Sequence, residues 1–257
     1  MQCAKPATRR CAVNDQSIVP DWPAPPNVRA FVTTRHGGVS LGPYSSMNLA
    51  THVGDDAAAV AANRAILRRC LPAEPRWLEQ VHGVDVAVGE AVRGVPQADA
   101  SVARTPGVVL AVMTADCLPV LLCDRAGSVI GIAHAGWRGL VGGVIEATLA
   151  AMKVEPREVL AWLGPAIGPA SFEVGGEVRD AAIAAQTSAA RAFAPCSPGK
   201  WLADIYALAR LRLERAGVRS TAGGNFCTVH DAQHFYSFRR DRITGRMASL
   251  IWLAGDS

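Results

Sequence analysis

Two runs of β-branched and aliphatic residues, Val108–Thr114 and Leu118–Cys123, are separated only by Ala115-Asp116-Cys117. Runs of this length and composition read as buried strands rather than helices. Val129–Ala133, Val159–Leu163 and Met247–Leu253 read the same way, and Val28–Thr34 is strand-like. Trp77–Val88 reads as one or two short strands around His82-Gly83. Helical patterns alternate with these runs. Asp55 or Asp56 can cap a helix over Ala57–Cys70, its carboxylate accepting the free N–H groups of the first turn. An apolar helix follows His134-Ala135-Gly136-Trp137-Arg138-Gly139 and reaches about Met152. Two Ala-rich segments, Gly176–Phe193 and Leu202–Ala216, complete the set, the second stopped by Gly217 as a C-terminal glycine would stop it. Strands interleaved with helices define one α/β domain over residues 28–257, preceded by a Pro- and Ala-rich tail at 1–27.

Composition narrows the function. Hydrophobic residues make up 50% of the 257 and charged residues 19%, against roughly 25% charged in an average globular chain; intrinsic disorder requires the opposite balance. The longest mainly apolar stretch without charge, Val159–Phe172, contains Pro165 and Pro169 and falls short of the roughly 20 residues that span a bilayer. Residues 1–20 have no apolar block after Arg9-Arg10, so no secretory signal and no membrane partner are expected, and the expected location is the cytoplasm. The net charge of +4 is scattered, with no run of basic residues longer than two. A nucleic-acid binder carries a basic stripe with interleaved aromatics, so no nucleic-acid partner is expected. Seven irregularly spaced cysteines argue against a disulfide framework, and reduced thiols are expected.

Three polar residues interrupt apolar strands at their ends: His82, Cys117 and His134. Strand ends are where α/β proteins place functional side chains. Two imidazoles and a thiolate suit zinc, and three protein ligands leave a fourth position for water or substrate. The separations, 35 and then 17 residues, are unlike a zinc finger, and each residue alone is more often a packed or satisfied side chain than a ligand. Asp116 sharpens the choice, since burying a carboxylate beside a thiol costs several kcal/mol unless it is paired or bonded. Arg138 opens a helix, where a cation is unfavourable unless an anion is bound; it and Arg35 are candidate anion ligands. Tyr236-Ser237-Phe238-Arg239-Arg240 with Thr244-Gly245-Arg246 reads as a strand edge and turn near a charged ligand, or as surface ion pairs.

These pieces occur in an order that carries a family likeness. Thr33 to Ser40 (TTRHGGVS), Met47-Asn48-Leu49, His52-Val53-Gly54-Asp55, Gln80-Val81-His82-Gly83, Thr114 to Val120 (TADCLPV), His134 to Gly139 (HAGWRG), Leu163 to Gly168 (LGPAIG) and the Tyr236–Arg246 segment resemble the bacterial laccase-domain, polyphenol-oxidase-like family. Its members are described as purine nucleoside phosphorylases and also as peptidoglycan editing factors. The resemblance implies a compact fold of mixed β-sheets flanked by helices, and a metal held by His82, Cys117 and His134, with zinc usual and copper assigned in members described as phenol oxidases. It implies phosphorolysis of adenosine, inosine and S-methyl-5′-thioadenosine to base and ribose 1-phosphate or its methylthio analogue, with adenosine deamination as a side activity. On this reading Cys117, His82, His134 and Asp116 form the catalytic group, and Arg35, Asn48 and Arg138 bind phosphate or ribose. Purine nucleosides and phosphate are the partners. The alternatives are an amidase acting on peptidoglycan precursors, with Cys117 as nucleophile, and a copper-dependent polyphenol oxidase. The sequence departs from the family at Val229-His230 and Phe235–Phe238, where Tyr-Cys and Phe-Phe-Ser-Tyr are common. Neither change touches the trio.

Overall fold

The apolar runs are continuous because the central strands are covered on both faces. In a computed structural model describing residues 16–255, a six-stranded sheet has the order β11-β7-β5-β6-β3-β2. Its strands are β2 (Val86–Val88), β3 (Ala100–Ala103), β5 (Leu118–Asp124), β6 (Ile130–Ala135), β7 (Val159–Leu163) and β11 (Ser220–Gly223). β5 lies antiparallel to β6 and β7, whereas β11 runs parallel to β7 and β2 parallel to β3. Period-2 alternation sorts each strand. On β5, Val120 and Leu122 enter one core while Leu121 and Cys123 enter another.

The first core lies under the helices α2 (Trp137–Gly142), α3 (Val144–Met152), α4 (Gly176–Ala185) and α5 (Ile205–Arg215), through residues such as Leu140, Ile145, Val178 and Leu208. The second lies against a three-stranded antiparallel sheet of β1 (Val28–Val32), β12 (Met247–Leu253) and β4 (Leu110–Thr114). The outer face of that small sheet buries Ala111, Met113 and Leu250 against α1 (Ala57–Arg68), through Leu67, and against Trp77. The result is four stacked layers, helix, sheet, sheet and helix. Each fully buried leucine or isoleucine contributes about 1.5–3 kcal/mol.

Several expected boundaries move for local reasons. Asp56 is the cap of α1 and accepts from Ala58 N. The helix after Gly136 breaks at Gly143, whose φ of 103° belongs to the left-handed region glycine tolerates. The segment expected as one helix from Gly176 stops at Gln186 and resumes as a 3-10 turn, Thr187–Ala192. It then enters a small sheet of β8 (Glu173–Gly175), β10 (Lys200–Ala203) and β9 (Phe193–Ser197), so α5 begins at Ile205 with Asp204 as its cap. Ahead of β1, Ile18 bridges Val32 and Trp22 packs on the second core. Cys117, Cys123, Cys196 and Cys227 are free, as expected of reduced thiols. Cys70, partly exposed just past α1, is disulfide-bonded, contrary to that expectation. No helix of the described residues is long and apolar enough to cross a membrane.

Candidate active site

β4 belongs to the small sheet and β5 to the large one, so the chain changes sheets at Ala115-Asp116-Cys117. Asp116 makes the corner with a φ of 91°, strained for a residue with a Cβ. Its carboxylate holds the bend: Oδ1 accepts from Thr228 Oγ1 at 2.6 Å and Oδ2 from Arg239 N at 2.6 Å, while its carbonyl accepts from Ile167 N. The bonded partners that a buried Asp116 requires are thus present. They engage both oxygens in bracing the residue before Cys117.

Strand register then assembles the trio. Leu118 pairs with Ala135 and Pro119 with His134, which sets Cys117 beside the end of β6. Ala100 pairs with Ala133, so Asp99 falls next to His134, and His134 N donates to its carbonyl at 2.7 Å. The third member comes from the loop before β2. The amide of Gln80 pairs with the backbone of Met113 on β4 in both directions, at 2.7 and 2.8 Å, much as a neighbouring strand would. His82 follows with a φ of 61°.

Asp99 ties these segments together. Fully buried, its Oδ1 accepts from His82 N at 2.9 Å and from His134 Nδ1 at 2.7 Å. Its Oδ2 accepts from Val81 N at 3.1 Å and Gly83 N at 2.7 Å. Burial alone would raise this carboxyl's pKa, but the bonds from His134 and the backbone outweigh it and hold it below the usual carboxylate range. Since a carboxylate only accepts, His134 donates through Nδ1, and its neutral form carries the free lone pair on Nε2.

One donor atom from each of His82, Cys117 and His134 lies within 4.8 Å of the others, and Cys117 Sγ is 3.7 Å from His82 Nε2. Without a metal, burial pushes the Cys117 thiol up, but His134 and His82 outweigh this and bring it down to about 6. His134, against its own burial, is held up to about 9 by Cys117 and Asp99. Both directions favour a thiolate beside an imidazolium in this state. A thiolate and two imidazoles, one carrying a carboxylate behind it, fit a metal of the zinc or copper type. Gly136 makes room for the group, because a Cβ there would lie 2.6 Å from His82 Cδ2 and 3.1 Å from Cys117 Sγ. Gly136→Ala is expected to weaken metal binding about tenfold or more, with a destabilisation of roughly 1–3 kcal/mol. Metal titration with thermal denaturation checks this; unchanged metal affinity would show the contact to be slack.

The trio lines a cleft of about 770 Å³ whose other walls include His52, Arg64, Trp77, Glu79, Phe238 and Arg246. Arg35, Asn48 and Arg138 are not among its lining residues. Arg35 donates to the carbonyls of Ser45 and Ala232, and the exposed Arg138 lies over the Trp137 ring at 4.5 Å. Asn48 is buried, with its amide bonded to Ala50, Asp55 and the backbone of Arg246. The Tyr236 segment forms a short helix, α6 (Phe238–Asp241), capped by Ser237, rather than a strand edge. Arg240 is spent on the carbonyls of Thr228, Val229 and Phe235 and on Asp241. Asp99, Gln80 and Thr228 are the residues that sequence reasoning missed. An isolated acid between two alanines at a strand start was the available signal for Asp99.

Fold and site define an α/β protein with a candidate His-Cys-His metal centre inside a cleft of small-molecule size. The chain belongs to the family described as multi-copper polyphenol oxidoreductase laccase, whose model matches residues 29–254. It is 56% identical over 237 residues to a Pseudomonas aeruginosa protein named purine nucleoside phosphorylase PA4543, covering 92% of this chain and 98% of that one. It is 55% identical over 240 residues to the Escherichia coli purine nucleoside phosphorylase YfiH, with the same coverage. Among solved structures, the Neisseria meningitidis protein NMB0706 matches with a TM-score of 0.90 and 55% identity, over 93% of this chain and 100% of that one.

Proposed function

We propose that this protein is a metal-dependent purine nucleoside phosphorylase that cleaves adenosine, inosine and S-methyl-5′-thioadenosine with phosphate. The observation that carries the reading is the cleft, which joins the His-Cys-His trio to arginines and aromatic side chains in one cavity; the names of the relatives point the same way. In phosphorolysis a phosphate oxygen bonds to the sugar C1′ as the bond from C1′ to the purine nitrogen breaks, and the electron pair leaves with the base. The chain must hold an anion, orient a planar base and exclude water. His82, Cys117 and His134 hold the metal, zinc on this donor set, which supplies a Lewis acid when bound. Asp99 fixes the tautomer of His134, and Asp116 acts as a positioning residue that keeps Cys117 at the sheet corner. Adenosine deamination is the side activity, with Glu79 the exposed carboxylate of the cleft wall available to carry a proton.

The thiolate–imidazolium pair favours a second reading, a cysteine amidase in which Cys117 attacks an amide carbonyl. A copper oxidase of the multicopper kind needs several copper centres, and the described residues offer one group of three ligands. The deciding experiment incubates metal-quantified protein with adenosine, with and without phosphate, and separates the products by chromatography. Free adenine and ribose 1-phosphate are expected only with phosphate. Inosine alone would replace phosphorolysis by deamination, and the absence of any product from metal-replete protein would overturn the proposal.

A further inference from the structure

Two arginines in the cleft wall, Arg64 and Arg246, form no salt bridge among the described residues, although other arginines do. The charge of Glu74 nevertheless acts on Arg64 and that of Asp116 on Arg246. Both are half-buried, and a guanidinium withdrawn from water without a counter-ion is costly. Both are also fixed in place. Arg64, on α1, donates through Nε to the Leu49 carbonyl at 2.9 Å and lies over the Trp77 ring at 4.4 Å. Arg246 donates through Nη1 to the carbonyls of Thr244 and Gly245, each at 3.0 Å. Its backbone N–H is held by Asn48 Oδ1 at 3.0 Å.

One buried dipeptide therefore anchors both. Asn48 holds Arg246 and Leu49 holds Arg64, and each is fully buried; Asn63, next to Arg64 on α1, donates back to the Asn48 carbonyl at 2.9 Å. Only part of each guanidinium is used. Among the described residues, no bond leaves Nη1 or Nη2 of Arg64, or Nε or Nη2 of Arg246. Paired N–H donors of this kind match the edge of a tetrahedral oxyanion.

We propose that Arg64 and Arg246 form the subsite for inorganic phosphate, pre-positioned by Asn48-Leu49; this rests on the phosphorylase reading for its role in turnover but not for its chemistry. His52, which lines the same wall, fits the arrangement. Burial and the two arginines keep its imidazole below its ordinary pKa, so it meets the anion as a neutral hydrogen-bonding group. Arg246 lines the same cleft as Cys117 and His134, so the subsite shares that cavity with the trio. The assignment gives Asn48 a positioning role and moves anion binding away from Arg35 and Arg138.

The test is equilibrium binding of inorganic phosphate, without nucleoside, to the metal-quantified protein and to Arg64→Gln, Arg246→Gln, Arg138→Gln and Arg157→Gln variants. Phosphate affinity is expected to fall roughly tenfold to a hundredfold in each cleft variant, the loss of one or two charge-assisted hydrogen bonds. Arg157, on an exposed 3-10 turn, is the control whose replacement leaves it unchanged. Arg64→Lys should recover part of the affinity, and circular dichroism should show each variant folded. In turnover the phosphate KM should rise more than the nucleoside KM. Retained phosphate affinity in both cleft variants, loss confined to Arg138→Gln, or no binding to the parent protein would each overturn the subsite. Phosphate bound at the arginine pair by a protein that cleaves no nucleoside would instead end the phosphorylase reading and leave the subsite standing.

Discussion

Cys117→Ser is expected to fold, to lose its metal and to lose nucleoside cleavage by a factor of about 100 or more. A serine hydroxyl stays protonated where the thiol, brought down to about 6 by its histidine neighbours, is ionised. The substitution thus removes a negative charge and a soft donor from the trio in one step. The fold has little reason to respond, because Cys117 is partly exposed at a sheet corner and the change in volume is small. The corner is held through Asp116, Thr228 and Arg239 rather than through the sulfur. Metal-to-protein stoichiometry by elemental analysis, with circular dichroism for the fold, reads the result. A full complement of metal in the folded variant would remove Cys117 from the ligand set. Unchanged cleavage by a metal-free variant would remove the metal from the reaction.

Asp99→Asn should have the largest effect on stability. In the parent chain each carboxylate oxygen accepts two N–H donors. An amide replaces one oxygen by an NH₂ group, which faces either the backbone donors of Val81 and Gly83 or the backbone donor of His82 and a His134 ring that must switch tautomer to accept from it. Breaking a buried, charged network of this kind costs about 3–5 kcal/mol. The loop carrying His82 loses its clamp and His134 loses the acceptor that fixes its tautomer, so metal affinity should fall about ten- to hundredfold as well. Thermal denaturation and metal titration read the two consequences separately. A variant that melts with the parent protein would show that Asp99 does not carry the network.

The trio was legible because a polar residue at the end of an apolar strand stands out against its surroundings. His82, Cys117 and His134 needed no knowledge of register to be picked, only to be brought together. The carboxylate behind them was not legible. β3 is a run of alanine, serine and valine that gives little strand signal, so Asp99 had no recognised element to stand at the start of. The cleft arginines were hard to read for a different reason. Arg138 has the sequence position of an anion ligand at the first turn of a helix, but its guanidinium lies over the neighbouring indole. Arg64 sits mid-helix, where position alone carries no message, and is brought into the cleft by the way α1 packs on the small sheet. The layers themselves followed from uninterrupted apolar runs. The β8-β10-β9 sheet did not, since Pro195 and Cys196 disguise β9 and the alanines before it read as one long helix.

Because Cys117 and His134 meet through the pairing of β5 with β6, the centre tolerates changes in chain length very unevenly. One residue added or removed within either strand would turn the outward face inward from that point on. The thiol and the imidazole would then slide apart by a full step of the ladder. The turn Pro198-Gly199 joins β9 to β10 in a separate sheet, and neither residue lines the cleft. Over evolutionary time, lengthening and shortening are free to collect at places such as that turn. Within β5 and β6 the residue count between the ladder and the centre is held fixed by this register, whatever residues fill the strands.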